Sequence, residues 1–216
     1  SPKNLKQLLQ NTKYSIHYYQ REYMWQRKHI EELIDDLTSE FLEYYKTDDP
    51  RQAVADYGAY FMGSIVLAGR ENAIIDGQQR ITTLFLLLRA IHKKLLKMSD
   101  SKERDNFIRQ IEPAIWIINE LTGEADYSTV LIESKVLESG YNQILENILK
   151  TGETRKDYSD RYSINYNLIM KLLDDYASNE PLNFYRFIHN ILNKTIVFPI
   201  KADTQETALT IFSAIA

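Results

Sequence analysis

The residues best suited to chemistry stand together in the stretch 74–88, IIDGQQRITTLFLLL. Asp76 and Gly77 close an apolar run that begins at Ala73. Gln78, Gln79 and Arg80 then open a segment in which Ile81, Leu84, Phe85, Leu88, Ile91 and Leu95 keep helical spacing. The pattern reads as strand, tight turn, helix. The first N–H groups of a helix lack intrahelical partners and carry partial positive charge, and a glycine lets an anion come close to them. Gln78 and Arg80 add long polar donors at the same mouth, with Thr82 and Thr83 just behind, so the turn is a candidate anion site. A purely structural account of the same residues also stands. Asp76 followed three positions later by Gln79 has the spacing of a capping box, in which both side chains close the helix's own start. That account leaves Gln78 and Arg80 without a task.

Other chemistries are bounded by what the chain lacks. It has no cysteine and four scattered histidines, so thiolate sites and disulfides are excluded and no metal-ligand spacing appears. The phosphate-binding loop pattern G-x-x-x-x-G-K-[ST] is missing, and no His/Asp/Glu cluster suggests a metal-dependent nuclease. Asp35 and Asp36 stand side by side on an expected helix, where neighbours point about 100° apart, so the pair does not make a metal site by adjacency. The formal net charge of −4 argues against coating nucleic acid by charge alone, although a local DNA groove stays open. Arg89, Lys93 and Lys97 form a basic row whose ordinary role is a solvated face. The segment 18–25 (YYQREYMW) mixes dense aromatics with Gln20 and Arg21, a combination that serves base stacking or a packed surface loop.

These residues need a scaffold, and the composition supplies one. The 216 residues are 44% hydrophobic and 26% charged, as in ordinary globular proteins with a sizeable core. No apolar run reaches the ~18 residues of a membrane span and no signal-peptide core opens the chain. No membrane partner and a cytoplasmic location are therefore expected. Apolar periodicity predicts helices over 4–10, 27–45, 78–98, 101–111, 136–149, 162–176, 182–192 and 206–215. Strands are expected over 14–17, 61–68, 72–75, 114–118 and 195–200, the last at an edge because of Pro199. Residues 47–56, 121–128 and 151–160 read as loops. The fold class is α+β, with helix predominating: a small mixed sheet packed on the central helix, and a larger helical lobe. The division expected is a core over 1–100, the lobe over 101–193, and a strand and helix over 194–216 that return to the core.

Asp76-Gly77-Gln78-Gln79-Arg80 followed by Thr82-Thr83-Leu84 resembles the signature of the N-terminal domain of GmrSD-type (type IV) restriction enzymes, a family related to the ParB/sulfiredoxin fold. Tyr19-Gln20-Arg21-x-Tyr23-x-Trp25 resembles that family's first motif, with His17 where a proline is usual. Phe61-x-Gly63-Ser64-Ile65-Val66 resembles its strand before the signature. Ala208-x-x-Ile211-Phe212 resembles a later helix that leads to an asparagine and an Arg-Gly pair; Ala216 falls where the asparagine would stand, which implies that the family's domain continues further. The resemblance implies a ParB-like sheet and nucleoside triphosphate binding and hydrolysis, with Mg²⁺, regulating DNA cleavage in anti-phage, modification-dependent restriction. It assigns catalytic roles to Asp76, Gln79 and Arg80. Nucleotide binding falls to Gln20, Arg21, Gly63, Ser64, Gly77, Gln78, Thr82 and Thr83, and metal binding to Asp76 with Asp36 as a second candidate. The partners it implies are an HNH-type nuclease domain or subunit, DNA through the full-length protein, and further copies in an oligomer. The alternative reading is a DNA-binding or protein-interaction module that keeps the fold without turnover.

Overall fold

In a computed structural model that describes residues 1–17, 19–135 and 142–215, the apolar run before Gly77 becomes an interior strand and the segment after it the central helix. In chain order the elements are β1 (Lys3–Asn4), α1 (Leu5–Leu9), β2 (Tyr14–Ile16), α2 (Arg27–Tyr44), a 3-10 turn (Arg51–Asp56), β3 (Tyr60–Ala68), β4 (Ala73–Asp76) and α3 (Gln78–Lys97). They continue with α4 (Lys102–Ile115), β5 (Trp116–Ile118), β6 (Ala125–Val130), β7 (Ile132–Ser134), α5 (Asn142–Thr151), α6 (Arg161–Asn179), α7 (Phe184–Lys194), β8 (Thr195–Ala202) and α8 (Gln205–Ile215). The fold is α+β and helix predominates, as the periodicity predicts.

Six strands form one mixed sheet in the order β1-β8-β3-β4-β2-β7. β3 runs antiparallel to β4 and parallel to β8, while β2 lies parallel to both β4 and β7. Strand alternation sends side chains to two different cores. Ile65, Leu67 and Ile74 join the main core with α3, whereas Val66, Ala68, Ala73 and Ile75 face the other way, where Ala208 of α8 covers them. Both faces of β4 are thus buried, and its C-terminal end opens on the turn at Gly77. β8 lies between β1 and β3 rather than at the edge expected, but among the described residues β1 pairs with it only at Ile196 and Val197, so no strand pairs with Pro199 on that side and its missing N–H costs no ladder bond there.

α3 carries the main core. Every residue from 81 through 92 is buried, including Arg89 at 6% exposed and His92 at 0%. These two polar groups tie the helix to the lobe. Arg89 Nε donates to Leu149 O at 3.0 Å, and its guanidinium lies 5.0 Å from the centre of the Trp116 ring. Arg89 Nη1 lies 3.3 Å from His92 Nδ1, and arginine can only donate, so Nδ1 is the acceptor and Nε2 carries the proton toward Glu112, 2.9 Å away. Burial and the nearby Arg89 charge hold the His92 pKa below its ordinary value despite that carboxylate, which keeps the ring neutral.

Three expectations are corrected. The helix expected to end near Pro113 runs on to Ile115, its last turn closed by Trp116 N–H on Glu112 O, so the strand begins at Trp116 rather than Ala114. The loop expected over 121–128 contains β6, which forms a hairpin with β5 around a turn where Asn119 Oδ1 accepts from Leu121 and Thr122 N–H. β7 is a further strand that the periodicity does not predict. The predicted helix over 136–149 is seen as α5 from Asn142; residues 136–141 lie outside the described residues. Among the described residues no helix is long and apolar enough to cross a membrane.

Candidate functional site

The turn between β4 and α3 is shaped by Gly77, whose φ of 100° is left-handed. A Cβ there would lie 2.6 Å from Ile65 Cγ2, so glycine is required both for the backbone and for the packing beneath it. Gly77 is also the N-cap of α3, and among the described residues no side chain caps the helix. The first helical bond runs from Ile81 N–H to Gly77 O. Among the described residues the N–H groups of Gln78, Gln79 and Arg80 find no acceptor. The capping box does not form. The Asp76 side chain, half-buried, makes no hydrogen bond or ion pair with the described residues.

Gln79 reaches across the site instead. Its Oε1 accepts from Met24 N–H at 2.7 Å and its Nε2 donates to Glu22 O at 3.1 Å. Gln20 makes two longer contacts, donating from Nε2 to Ile74 O at 3.3 Å and Ile75 O at 3.4 Å. The segment 20–24 is therefore strapped beside the end of β4 and the start of α3. Arg21, between the two straps, is exposed and has no hydrogen-bond or ion-pair partner among the described residues.

A second layer holds this strap in place. Thr83, fully buried, donates to Gln79 O at 2.9 Å, so its 2.7 Å contact with Tyr23 has the tyrosine hydroxyl as donor. Asn165 of α6 then donates to Tyr23 Oη at 2.9 Å and to Trp25 O at 2.8 Å. Burial pushes the Tyr23 pKa up to about 12, so it stays a hydroxyl. Its ring stacks on Tyr162 with centroids 5.0 Å apart. Thr82 and Thr83, expected to touch a nucleotide, are 2% and 0% exposed. Direct contact is closed to them, and Thr83 acts by holding the strap. Sequence reasoning misses Asn165: an asparagine within a helical pattern carries no signal of the loop it will clasp.

Arg80 turns away from the helix start toward β3. Nη1 donates to Met62 O at 2.7 Å and Nη2 to Ser64 O at 2.6 Å, gripping the strand on either side of Gly63. There the β3–β8 register shifts and Gly63 adopts a φ of 92°. A Cβ on Gly63 would come within 3.0 Å of Arg80 Nη1. Gly63 and Ser64 thus enter the site through backbone, as the bulge that Arg80 clamps. Arg80 makes no ion pair with Asp36 or Glu32 among the described residues, yet all three line a cavity of about 220 Å³ together with Trp25, His29 and Tyr60. Asp36 is exposed and accepts from Tyr60 Oη at 3.3 Å. Among the described residues no group of three or more His, Asp or Glu gathers to hold a metal ion. A Mg²⁺ ion at Asp76 would have to draw its remaining ligands from phosphate oxygens and water, which is how Mg²⁺ usually binds.

The uncapped amides at the left-handed Gly77 can receive an anion, and the Asp76 carboxylate beside them, unpartnered among the described residues, can hold a cation or a water. A family model described as GmrSD restriction endonuclease, N-terminal domain, matches residues 5–215. No curated protein matches the chain.

Proposed function

The chain belongs to the GmrSD restriction endonuclease N-terminal domain family, and we propose that it binds and hydrolyses a nucleoside triphosphate at the β4–α3 turn. Hydrolysis would regulate DNA cleavage by an HNH-type nuclease domain or subunit in an anti-phage system that senses modified DNA. The observation that carries this reading is the uncapped start of α3 at Gly77, next to Asp76 and beside the strapped segment 20–24 that carries Arg21, both side chains having no partner among the described residues. Phosphoryl transfer needs positioning and charge stabilisation more than covalent chemistry, and these groups supply both. The N–H groups of Gln78 and Gln79 cradle a phosphate, with Arg21 neutralising its oxygens. Asp76 orients the attacking water or would hold Mg²⁺, whose charge would offset that of the phosphate. Gln79 keeps Arg21 in reach by pinning the strap.

Asp76 is not a helix cap, so Asp76→Asn should leave the melting temperature unchanged. Phosphate release from the four ribonucleoside triphosphates with Mg²⁺ should fall about a hundredfold. Equal turnover by the two proteins would remove Asp76 from the chemistry. If wild type bound no triphosphate while binding DNA, the module without turnover would replace the proposed function.

A further inference from the structure

We infer that the cavity between α2, β3 and Arg80 receives the base of the nucleotide and is built for guanine; the inference rests on the proposed triphosphate site. Arg80 joins the two places, as the third residue of α3 and as part of the cavity wall. At about 220 Å³, the cavity is smaller than the ~300 Å³ at which pockets for drug-sized ligands begin. It suits one planar ring system with the phosphates left outside. Trp25 and His29, stacked with centroids 5.6 Å apart, supply an aromatic wall on which a base can lie.

The polar groups select among bases. Glu32 and Asp36 are one helical turn apart on α2, both line the cavity, and neither forms an ion pair among the described residues. A carboxylate only accepts; Glu32 has no hydrogen bond among the described residues and Asp36 only the 3.3 Å contact from Tyr60 Oη, so both keep oxygens for N–H groups. Guanine alone among the common bases presents two neighbouring donors on one edge, N1–H and the 2-amino group, which match the two oxygens of a carboxylate. Adenine, cytosine and uracil each set a lone pair beside their donor on that edge, and it would face the carboxylate unfavourably. Guanine O6 and N7 are acceptors and call for donors on the other side. Arg80 has N–H groups beyond the two that hold β3. His29 Nδ1 accepts from Gln26 N–H at 2.9 Å, which leaves the ring proton on Nε2 as a donor.

The test is calorimetric titration with Mg²⁺ of GTP, ATP, CTP, UTP and inosine triphosphate, which lacks the 2-amino group. The proteins are wild type and the double variant Glu32→Gln with Asp36→Asn; both side chains are exposed, so the variant should fold. Wild type should bind GTP about tenfold or more tighter than ATP, CTP and UTP, with inosine triphosphate between. The double variant should lose that preference and keep its affinity for the other bases. Equal affinities in wild type, or a guanine preference that survives the double substitution, would overturn the base assignment alone. Failure of every triphosphate to bind would overturn it together with the nucleotide reading.

Discussion

Gly77→Val should lower the free energy of unfolding by about 2–5 kcal/mol, the sum of two separate costs. A left-handed conformation costs an L-residue roughly 1–2 kcal/mol, and more for a β-branched one. Forcing extra carbon into a packed core costs roughly 1–3 kcal/mol. Both apply at Gly77, with its φ of 100° and Ile65 Cγ2 2.6 Å from the position of a Cβ. Gly123 separates them. It has a φ of 72° but no described residue within 4 Å of the place a Cβ would take, so Gly123→Ala should show the backbone cost alone. Urea unfolding of the three proteins, followed by circular dichroism, checks the pair. A Gly77→Val midpoint equal to that of Gly123→Ala would mean that Ile65 moves aside without cost.

Arg80→Ala should act on stability and on ligand together. It deprives Met62 O and Ser64 O of a charged donor. Such bonds contribute about 1.5–3 kcal/mol each. Arg80 is only partly buried, so after screening the expected loss is about 2 kcal/mol in all. Triphosphate affinity should fall about tenfold or more, since the bulge at Gly63 loosens and the remaining N–H groups leave the cavity wall. Arg80→Lys should recover only part of either loss, because an ammonium lacks the planar fork that reaches two carbonyls at once. Thermal melting and calorimetry on the three proteins separate the effects. Reduced stability with unchanged dissociation constants would make Arg80 a clamp on β3 and nothing more.

The strand, glycine turn and buried helix over 73–97 are legible because apolar spacing changes there from a continuous run to a helical period, with a glycine between. Pro199 is legible only in part: its missing donor calls for a side without a strand partner, which it has beyond Val197 among the described residues, although β8 itself lies between β1 and β3. What stays hidden depends on partners distant in sequence. Asn4 and Gln7 form a true capping box, while Asp76 and Gln79 at the same spacing do not, because Gln79 finds Glu22 and Met24 instead. Nothing local distinguishes the two cases. Arg80, which the sequence aims at an anion, meets two backbone carbonyls that no residue type announces. β6 escapes because its largely exposed residues (ADYSTV) lack the apolar alternation that marks a half-buried strand. β7 is three residues long, and its pairing with β2 is set by the sheet rather than by its own sequence.

The central claim, that a triphosphate is held by the open N-terminus of α3, is tested most directly by following backbone amide resonances of isotopically labelled protein during titration with triphosphate and Mg²⁺. The amides of Gln78 and Gln79 should shift progressively and saturate at the same ligand concentration as binding measured by calorimetry. The amide of Gly123, in the β5–β6 turn, should not move. Saturable binding that leaves the Gln78 and Gln79 amides in place would contradict the claim and put the nucleotide elsewhere on the molecule.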